Sequence, residues 1–194
     1  MHIETHPLAP FLPQHARVLL LGSFPPQSHR WKMQFYYPNY QNDMWRIFGL
    51  MFFNDAAHFL NVEQKSFKEL EIRAFLQTVG IAIYDTAEQV IRLNDNAADK
   101  FLQVHRATDL HALLQHIPYC QHIITTGEKA TETLLELMPT GTAKPKIGQA
   151  SQVQFADRSI TLYRLPSSSR AYPLALEQKA AAYARVFQDI GLLK

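Results

Sequence analysis

The chain has 194 residues, a length that fits one domain, residues 1–194, built around a single hydrophobic core. Hydrophobic residues make up 47% and charged residues 19%, a globular balance that excludes bulk disorder, and the net charge of +2 suits an anionic polymer only where cations cluster. No apolar stretch approaches the roughly 20 residues that cross a bilayer, so no membrane partner is expected, and the single cysteine, Cys120, excludes an internal disulfide and a cysteine-held iron–sulfur cluster.

Residues 1–17 carry no cationic region followed by an apolar one, which excludes a typical signal peptide and makes the protein cytoplasmic by expectation.

The most informative segment of the chain follows residues 1–17. Its apolar run, residues 18–21, ends at Gly22-Ser23, and a loop rich in Pro, Ser, His and aromatic residues then leads to Asn42-Asp43. This pattern predicts a buried parallel strand over residues 17–21. Its carboxyl end would deliver the polar loop to the edge where open α/β sheets bind ligands.

Apolar runs and helical periodicities alternate along the rest of the chain. Further strands are predicted at residues 81–84, 122–125 and 160–165, with a weaker one at 152–155, and helices at 44–53, 66–80, 108–116, 128–138 and 173–190. Pro173 is expected at the first position of the last helix. Strands that alternate with helices form βαβ units. The prediction is therefore an α/β fold with three α/β/α layers and a central, mostly parallel four-stranded sheet.

The carboxyl ends of parallel strands meet at one edge of a sheet, which gathers four polar segments of this chain. They are Gly22-Ser23 with the loop after it, Asp85-Thr86, residues 126–128 and residues 166–170. Together they predict a composite site of amide, carboxylate and hydroxyl groups with helix N-termini. No Walker loop and no GxGxxG motif occurs, so the common nucleotide sites are not indicated.

Each polar group at this edge has a structural and a functional interpretation. Asn42 and Asp43 precede a helix and are typical N-cap residues, whereas Asn42 is alternatively a ligand for water or a base edge. Aromatic residues 35–37 fill a core or stack on a base. Residues 166–169 form a turn and a cap, or bind phosphate through hydroxyl and N–H groups. The histidines show no metal-ligand spacing, so neither a metal nor another cofactor is expected.

The order and spacing of these segments resemble the uracil-DNA glycosylase superfamily. The closest resemblance is to its hypoxanthine-DNA glycosylase branch (family 6), followed by the mismatch-specific uracil glycosylase type. That branch has a GS-x-P motif, then an aromatic-rich loop that runs through Tyr-Tyr and a Pro, and then the motif Q-N-x-[FM]-W. In this chain the three elements are residues 22–25, 36–38 and 41–45. The segment GIAIYD, residues 80–85, resembles the base-reading strand, and LPSSSRAY, residues 165–172, resembles the DNA-gripping motif L-P-S-T-S-P-A-N.

The resemblance implies a monofunctional DNA glycosylase that flips a deaminated base out of DNA and hydrolyses its N-glycosidic bond in base-excision repair. It implies Asn42 as the catalytic amide. The implied base-binding residues are Phe24, Tyr36, Tyr37 and Asp85. The implied DNA-binding residues are Ser23, Pro25, Ser167, Ser168, Ser169, Arg170 and Tyr172. The expected partner is DNA that contains a damaged base, bound by a monomer without a metal, a cofactor or an iron–sulfur cluster.

The chain departs from the family pattern at several positions. Pro26 stands where the branch usually has Gly, Arg170 and Tyr172 replace the last Pro and the Asn of the DNA-gripping motif, and Leu165 replaces the histidine of classical uracil glycosylases. Asp85 stands where uracil-specific members carry Asn. An ionised carboxylate accepts the N1–H of hypoxanthine and repels a carbonyl oxygen of uracil. Hypoxanthine is therefore the predicted base, and uracil is the alternative.

Two other functions stay open. The departures fit a non-catalytic nucleic-acid-binding protein of the same fold, which would bind damaged DNA without cleaving it. A small-molecule α/β hydrolase would instead depend on Ser168 or Ser169, although no GxSxG motif occurs.

Overall fold

The computed structural model describes residues 2–93 and 99–194. In chain order its elements are β1 (Ile3–Thr5), β2 (Val18–Gly22), α1 (Met44–Phe53), β3 (Leu60–Asn61), β4 (Ser66–Phe67), α2 (Glu69–Val79), β5 (Ile81–Asp85), β6 (Ala87–Arg92), β7 (Leu102–Ala107), α3 (Leu110–His116), β8 (His122–Thr126), α4 (Glu128–Glu136), β9 (Ala150–Phe155), β10 (Arg158–Leu165) and α5 (Leu176–Ile190). Short 3-10 turns lie at Ser28–Arg30 and Asp99–Phe101.

The central sheet has five strands in the order β5-β2-β8-β10-β9. The first four run parallel, and β9 pairs antiparallel with β10 at the edge. The predicted α/β class with a central, mostly parallel sheet flanked by helices is therefore confirmed. The sheet is one strand larger than predicted, because the weak signal at residues 152–155 belongs to β9, whose six residues all pair with β10.

The neighbouring strands β2 and β5 are buried along their whole length. Helices cover parallel sheets on both faces, which is why these two strands have continuous apolar runs in the sequence. The register pairs Gly22 with Asp85 and Leu165 with Thr126, so neighbouring strands end at the same level. The polar segments that follow the strands are thereby brought to one edge.

The sequence does not predict the second sheet, which has three antiparallel strands in the order β1-β6-β7. Strand β6 buries two of its six residues and β7 buries one of six, and their polar composition hides them from a search for apolar runs. Only Thr86 separates β5 from β6, so the chain passes directly from the central sheet into the small one. The backbone N–H of His6 donates to the carbonyl of Glu88 in β6, which lays the N-terminal segment beside the end of β5.

Helices α1 and α5 pack against each other beside the central sheet. Helix α2 begins later than predicted, at Glu69, because the two residues of β4 pair with β3 instead. Helix α5 begins at Leu176, so Pro173 precedes the helix and does not occupy its first position. Among the described residues, no helix is long and apolar enough to cross a membrane.

Candidate functional site

A cleft of about 600 Å³ lies at the carboxyl ends of the parallel strands. It is lined by every residue that the sequence predicts for the site, together with others. The predicted residues are Ser23, Phe24, Pro25, Tyr36, Tyr37, Asn42, Asp85, Ser167, Ser168, Ser169, Arg170 and Tyr172. Three segments far apart in the chain therefore meet in one concave surface, which is the usual form of a ligand site.

Asn42 lies in the cleft just before α1, whose N-cap position is Asp43, and its side chain holds the first residue of that helix. Its Oδ1 atom accepts a hydrogen bond from the backbone N–H of Met44 at 2.9 Å. This contact supports the structural interpretation, in which Asn42 satisfies a backbone N–H at the start of the helix. It does not exclude a functional role, because an amide oxygen has a second lone pair and the amide nitrogen has two donors.

Asp43 joins α1 to α5 beneath the cleft. Its Oδ2 atom lies 3.1 Å from Nζ of Lys179, which also donates to the carbonyl of Ser169 at 2.8 Å. The backbone N–H of Asp43 donates to the carbonyl of Ser168 at 2.9 Å. The segment that carries Asn42 is thus fixed to the serine segment by both side-chain and backbone contacts. The sequence predicted Asp43 only as a cap and gave no sign that Lys179, on a helix of mixed polarity, is buried.

Arg170 belongs to the same network. Its Nε atom donates to Oδ1 of Asp43 at 3.0 Å, and its Nη1 atom donates to Oε1 of Gln41 at 2.6 Å. The Arg170 side chain is 46% exposed, so it keeps a face toward solvent while it bridges the two motif segments. Arg170 therefore has two protein partners, Asp43 and Gln41, that the sequence did not predict.

The serine segment forms a tight turn. Backbone N–H groups donate to the hydroxyl oxygens of Ser167 and Ser169, each at 3.2 Å, which leaves both hydroxyl protons free for another acceptor. Ser168 is only 2% exposed, so it lines the cleft with little accessible surface. Tyr172 lines both this cleft and an adjoining groove of about 530 Å³, which places this residue between them.

Asp85 lies at the other end of the cleft, where β5 ends. Its Oδ2 atom is 2.9 Å from Nε2 of His6. A Cβ atom added to Gly22 would lie 2.5 Å from Oδ1 of Asp85 and 3.0 Å from the hydroxyl of Tyr37, so only glycine leaves room for both groups. The Tyr37 hydroxyl also lies 2.9 Å from Oγ1 of Thr126. Burial, and then the charge of Asp85, raise the pKa of Tyr37 well above its usual value, so this phenol stays neutral.

A second carboxyl group in the cleft, Asp99, was not predicted. It accepts a hydrogen bond from the hydroxyl of Ser23 at 2.8 Å, and burial raises its pKa above the ordinary value. The Ser23 hydroxyl is thereby committed to a carboxylate and has no proton left for a phosphate. Nothing in the local sequence identifies Asp99, because its partner lies 76 residues away.

The aromatic residues of the loop divide between core and cleft. Tyr36 is almost fully buried and donates its hydroxyl proton to the carbonyl of Ala9 at 2.7 Å. Phe24 packs edge-on against the ring of His6, with ring centroids 5.2 Å apart. The carbonyl of Pro25 accepts a hydrogen bond from Arg92, which holds the start of the loop. Within residues 2–93 and 99–194, no group of three or more His, Cys, Asp or Glu side chains is placed to hold a metal ion.

Comparisons with known proteins identify the fold. No protein-family model matches the chain, and no curated protein matches it. The chain is similar to the solution NMR structure of a protein from Methanosarcina acetivorans that is named "putative Uracil DNA glycosylase". The TM-score is 0.63 at 21% sequence identity, and the match covers 98% of this chain and 99% of the other. The two proteins therefore share a fold over their whole lengths.

Proposed function

We propose that the protein is a DNA glycosylase that removes a deaminated base from DNA. The observation that carries the proposal is the meeting of three segments in one cleft: the segment with Asn42, the strand that ends at Asp85, and residues 165–172. Each of them resembles a motif of the uracil-DNA glycosylase superfamily. The fold shared with a protein named for that activity supports the same assignment.

The cleft has the parts that base excision needs. A damaged base must leave the stack, which costs a few kcal/mol, and enter a pocket. The free hydroxyl protons of Ser167 and Ser169 would hold flanking phosphates, and the ring of Tyr172 would fill the space that the base vacates. Ser23, whose proton goes to Asp99, contributes through the shape of the loop.

Bond cleavage would depend on Asn42. Cleavage of the N-glycosidic bond develops positive charge on the sugar and negative charge on the departing base. The free lone pair of Oδ1 would orient the attacking water, while the bond from Met44 N–H fixes the side chain. An amide is a poor base, so hydrogen bonds to the departing base must supply much of the rate. The mechanism requires no metal.

The choice of base would depend on Asp85. Its carboxylate accepts hydrogen bonds and donates none, which suits the N1–H of hypoxanthine and opposes a carbonyl oxygen of uracil. The test is a comparison of duplexes that carry one deoxyinosine or one deoxyuridine, with abasic sites revealed by alkaline cleavage. Hypoxanthine is expected to be released faster. Faster release of uracil contradicts the assignment of the base but not the glycosylase function.

A non-catalytic DNA-binding protein is the second candidate, and the position of Arg170 favours it. This residue replaces a motif proline and is held by Asp43 and Gln41, which makes the gripping segment differ from the family pattern. Binding to every damaged duplex without cleavage would support this candidate. A small-molecule hydrolase is disfavoured, because no histidine is among the described residues that line the cleft and so none can activate Ser168 or Ser169 there.

A further inference from the structure

The cleft has a buried histidine behind its base-reading end. The side chain of His6 is 1% exposed and that of Asp85 is 7% exposed, and their nearest atoms, Nε2 and Oδ2, are 2.9 Å apart. His6 does not line the cleft itself; it lies behind Asp85 at the end of β1. The rings of Tyr84, Phe24 and Tyr36 surround it, with centroids 4.7, 5.2 and 6.1 Å from its own.

The other ring nitrogen of His6 contacts the backbone of Leu8. The Nδ1 atom of His6 lies 3.1 Å from the backbone nitrogen of Leu8 and 3.0 Å from its carbonyl oxygen. A carboxylate has no proton to donate, so the hydrogen bond between Nε2 and Oδ2 of Asp85 requires the proton to be on Nε2. With the proton on Nε2, Nδ1 can accept the Leu8 N–H.

This donor bears on how Asp85 contacts a ligand. A carboxylate only accepts hydrogen bonds, so a donor bonded to one of its oxygens fixes the plane of the group and the direction of the other oxygen. The bond to Oδ2 also leaves Oδ1 directed over Gly22, at the wall of the cleft.

We propose that His6 is a positioning residue that donates to Oδ2 of Asp85 and orients the carboxylate, so that Oδ1 accepts a ring N–H of the extruded base. The inference rests on the proposed glycosylase function. It also explains how an undamaged base is rejected. Adenine has an acceptor at N1 where hypoxanthine has a donor, so the carboxylate of Asp85 held in this orientation repels adenine and attracts its deamination product.

The test uses variants that separate the donor from the ring. His6→Phe keeps a ring against Phe24 and Tyr84 but removes the donor, and His6→Gln keeps a donor without the ring. Each is made in the wild type and in Asp85→Asn, and single-turnover release of hypoxanthine and uracil is measured at saturating enzyme. His58→Phe is the matched control, because His58 stacks on Phe53 and lies outside the lining of the cleft.

We expect His6→Phe to slow the release of hypoxanthine roughly 10- to 100-fold, the range for loss of a hydrogen bond to a charged group, and to narrow the preference over uracil. His6→Gln should recover most of the rate. In the Asp85→Asn background, adding His6→Phe should slow base release by less than about twofold, because the two residues act as one unit.

Two results overturn the inference alone: a wild-type rate for His6→Phe, or equal losses in both backgrounds, which would assign His6 a role in packing only. Release of neither base by the wild-type protein contradicts the proposed function and the inference with it. A loss in His58→Phe as large as in His6→Phe also counts against the inference, because the effect would then not be specific to the cleft.

Discussion

The Nζ atom of Lys179 lies 3.1 Å from Oδ2 of Asp43, and both side chains are nearly inaccessible to solvent. The pair joins the last helix to the residue that follows Asn42. Nζ also donates to the carbonyl of Ser169, so one buried side chain holds the segment of Asn42 and the serine segment together.

Replacement of Lys179 with methionine should therefore destabilise the protein strongly. The substitution keeps the volume but leaves Asp43 with only the half-exposed Arg170 as its ionic partner. Breaking a buried pair costs about 3–5 kcal/mol of unfolding free energy, and the remaining contact with Arg170 places the expected loss at or below the lower end of that range. The measurement is denaturant unfolding. Lys68→Met is the control, since the pair of Lys68 with Glu71 is accessible and 3.7 Å apart and should contribute less than about 1 kcal/mol. Equal losses in the two variants would contradict the buried pair.

Asn42→Ala should abolish base release while DNA affinity stays largely intact. The alanine also removes the acceptor of the Met44 N–H, a loss comparable to that of a helix cap, about 1 kcal/mol of stability. Asn42→Ser separates these effects, because its hydroxyl can cap the helix but cannot replace the amide. We expect both variants to be inactive and only the alanine to melt earlier. Unchanged single-turnover rates in either variant would remove Asn42 from the mechanism.

Gly22→Ala should slow base release, because it displaces the carboxylate of Asp85. The added Cβ would lie 2.5 Å from Oδ1 of Asp85, whose other oxygen is held by His6, so the carboxylate must move. A displacement of this size can slow base release on the order of 100-fold. The control is the same substitution in Asp85→Ala, which lacks the obstructing oxygen. Denaturant unfolding should show that Gly22→Ala lowers the unfolding free energy less in that background than in the wild type. An equal loss in both backgrounds would count against the clash.

Asp99 should make stability depend on pH. Burial raises its pKa, so the folded protein retains a proton that the unfolded chain releases. The contribution of Asp99 is thus neutral below the ordinary pKa of 3.8 and becomes unfavourable as pH rises through the folded value. Asp99→Asn should gain unfolding free energy over the wild type as pH rises from acid to neutral, and then level off. Asp55→Asn, at an exposed aspartate, should show no such gain, and a gain that shrinks with pH would refute the shift.

Arg30 and Lys32 should contact DNA phosphates. Both are exposed on the loop at the mouth of the cleft, and Arg30 lines it. Loss of one phosphate contact reduces the slope of log affinity against log salt by about 0.9 on duplex DNA, so the double change to glutamine should reduce it by about 1.8. The control double change, Lys65→Gln with Arg185→Gln, alters exposed cations that do not line the cleft. An equal change of slope in the control would show a general charge effect only.

The sequence predicts the central sheet well and the supports of the cleft poorly. Strands such as β2 and β5 are buried throughout, and burial on both faces leaves an unbroken apolar run. The small sheet buries few residues, only Ala87 and Val90 in the segment AEQVIR, so its strands carry a weak apolar signal. His6 and Asp85 are 79 residues apart, and no local pattern relates them. Buried polar partners of this kind are determined by tertiary contacts, which a single sequence does not display.

The passage from β5 into β6 through Thr86 alone has a consequence for how such a protein can change. The segment that carries Asn42 is bound to α5 through Asp43 and Lys179, whereas His6 follows β1 and Asp99 precedes β7 in the small sheet. Under the proposed function, the choice of base and the cleavage of the bond would therefore depend on different supports. Substitutions in the small sheet should then change which base is accepted with little effect on the segment of Asn42, which makes that sheet the target for redesign of selectivity.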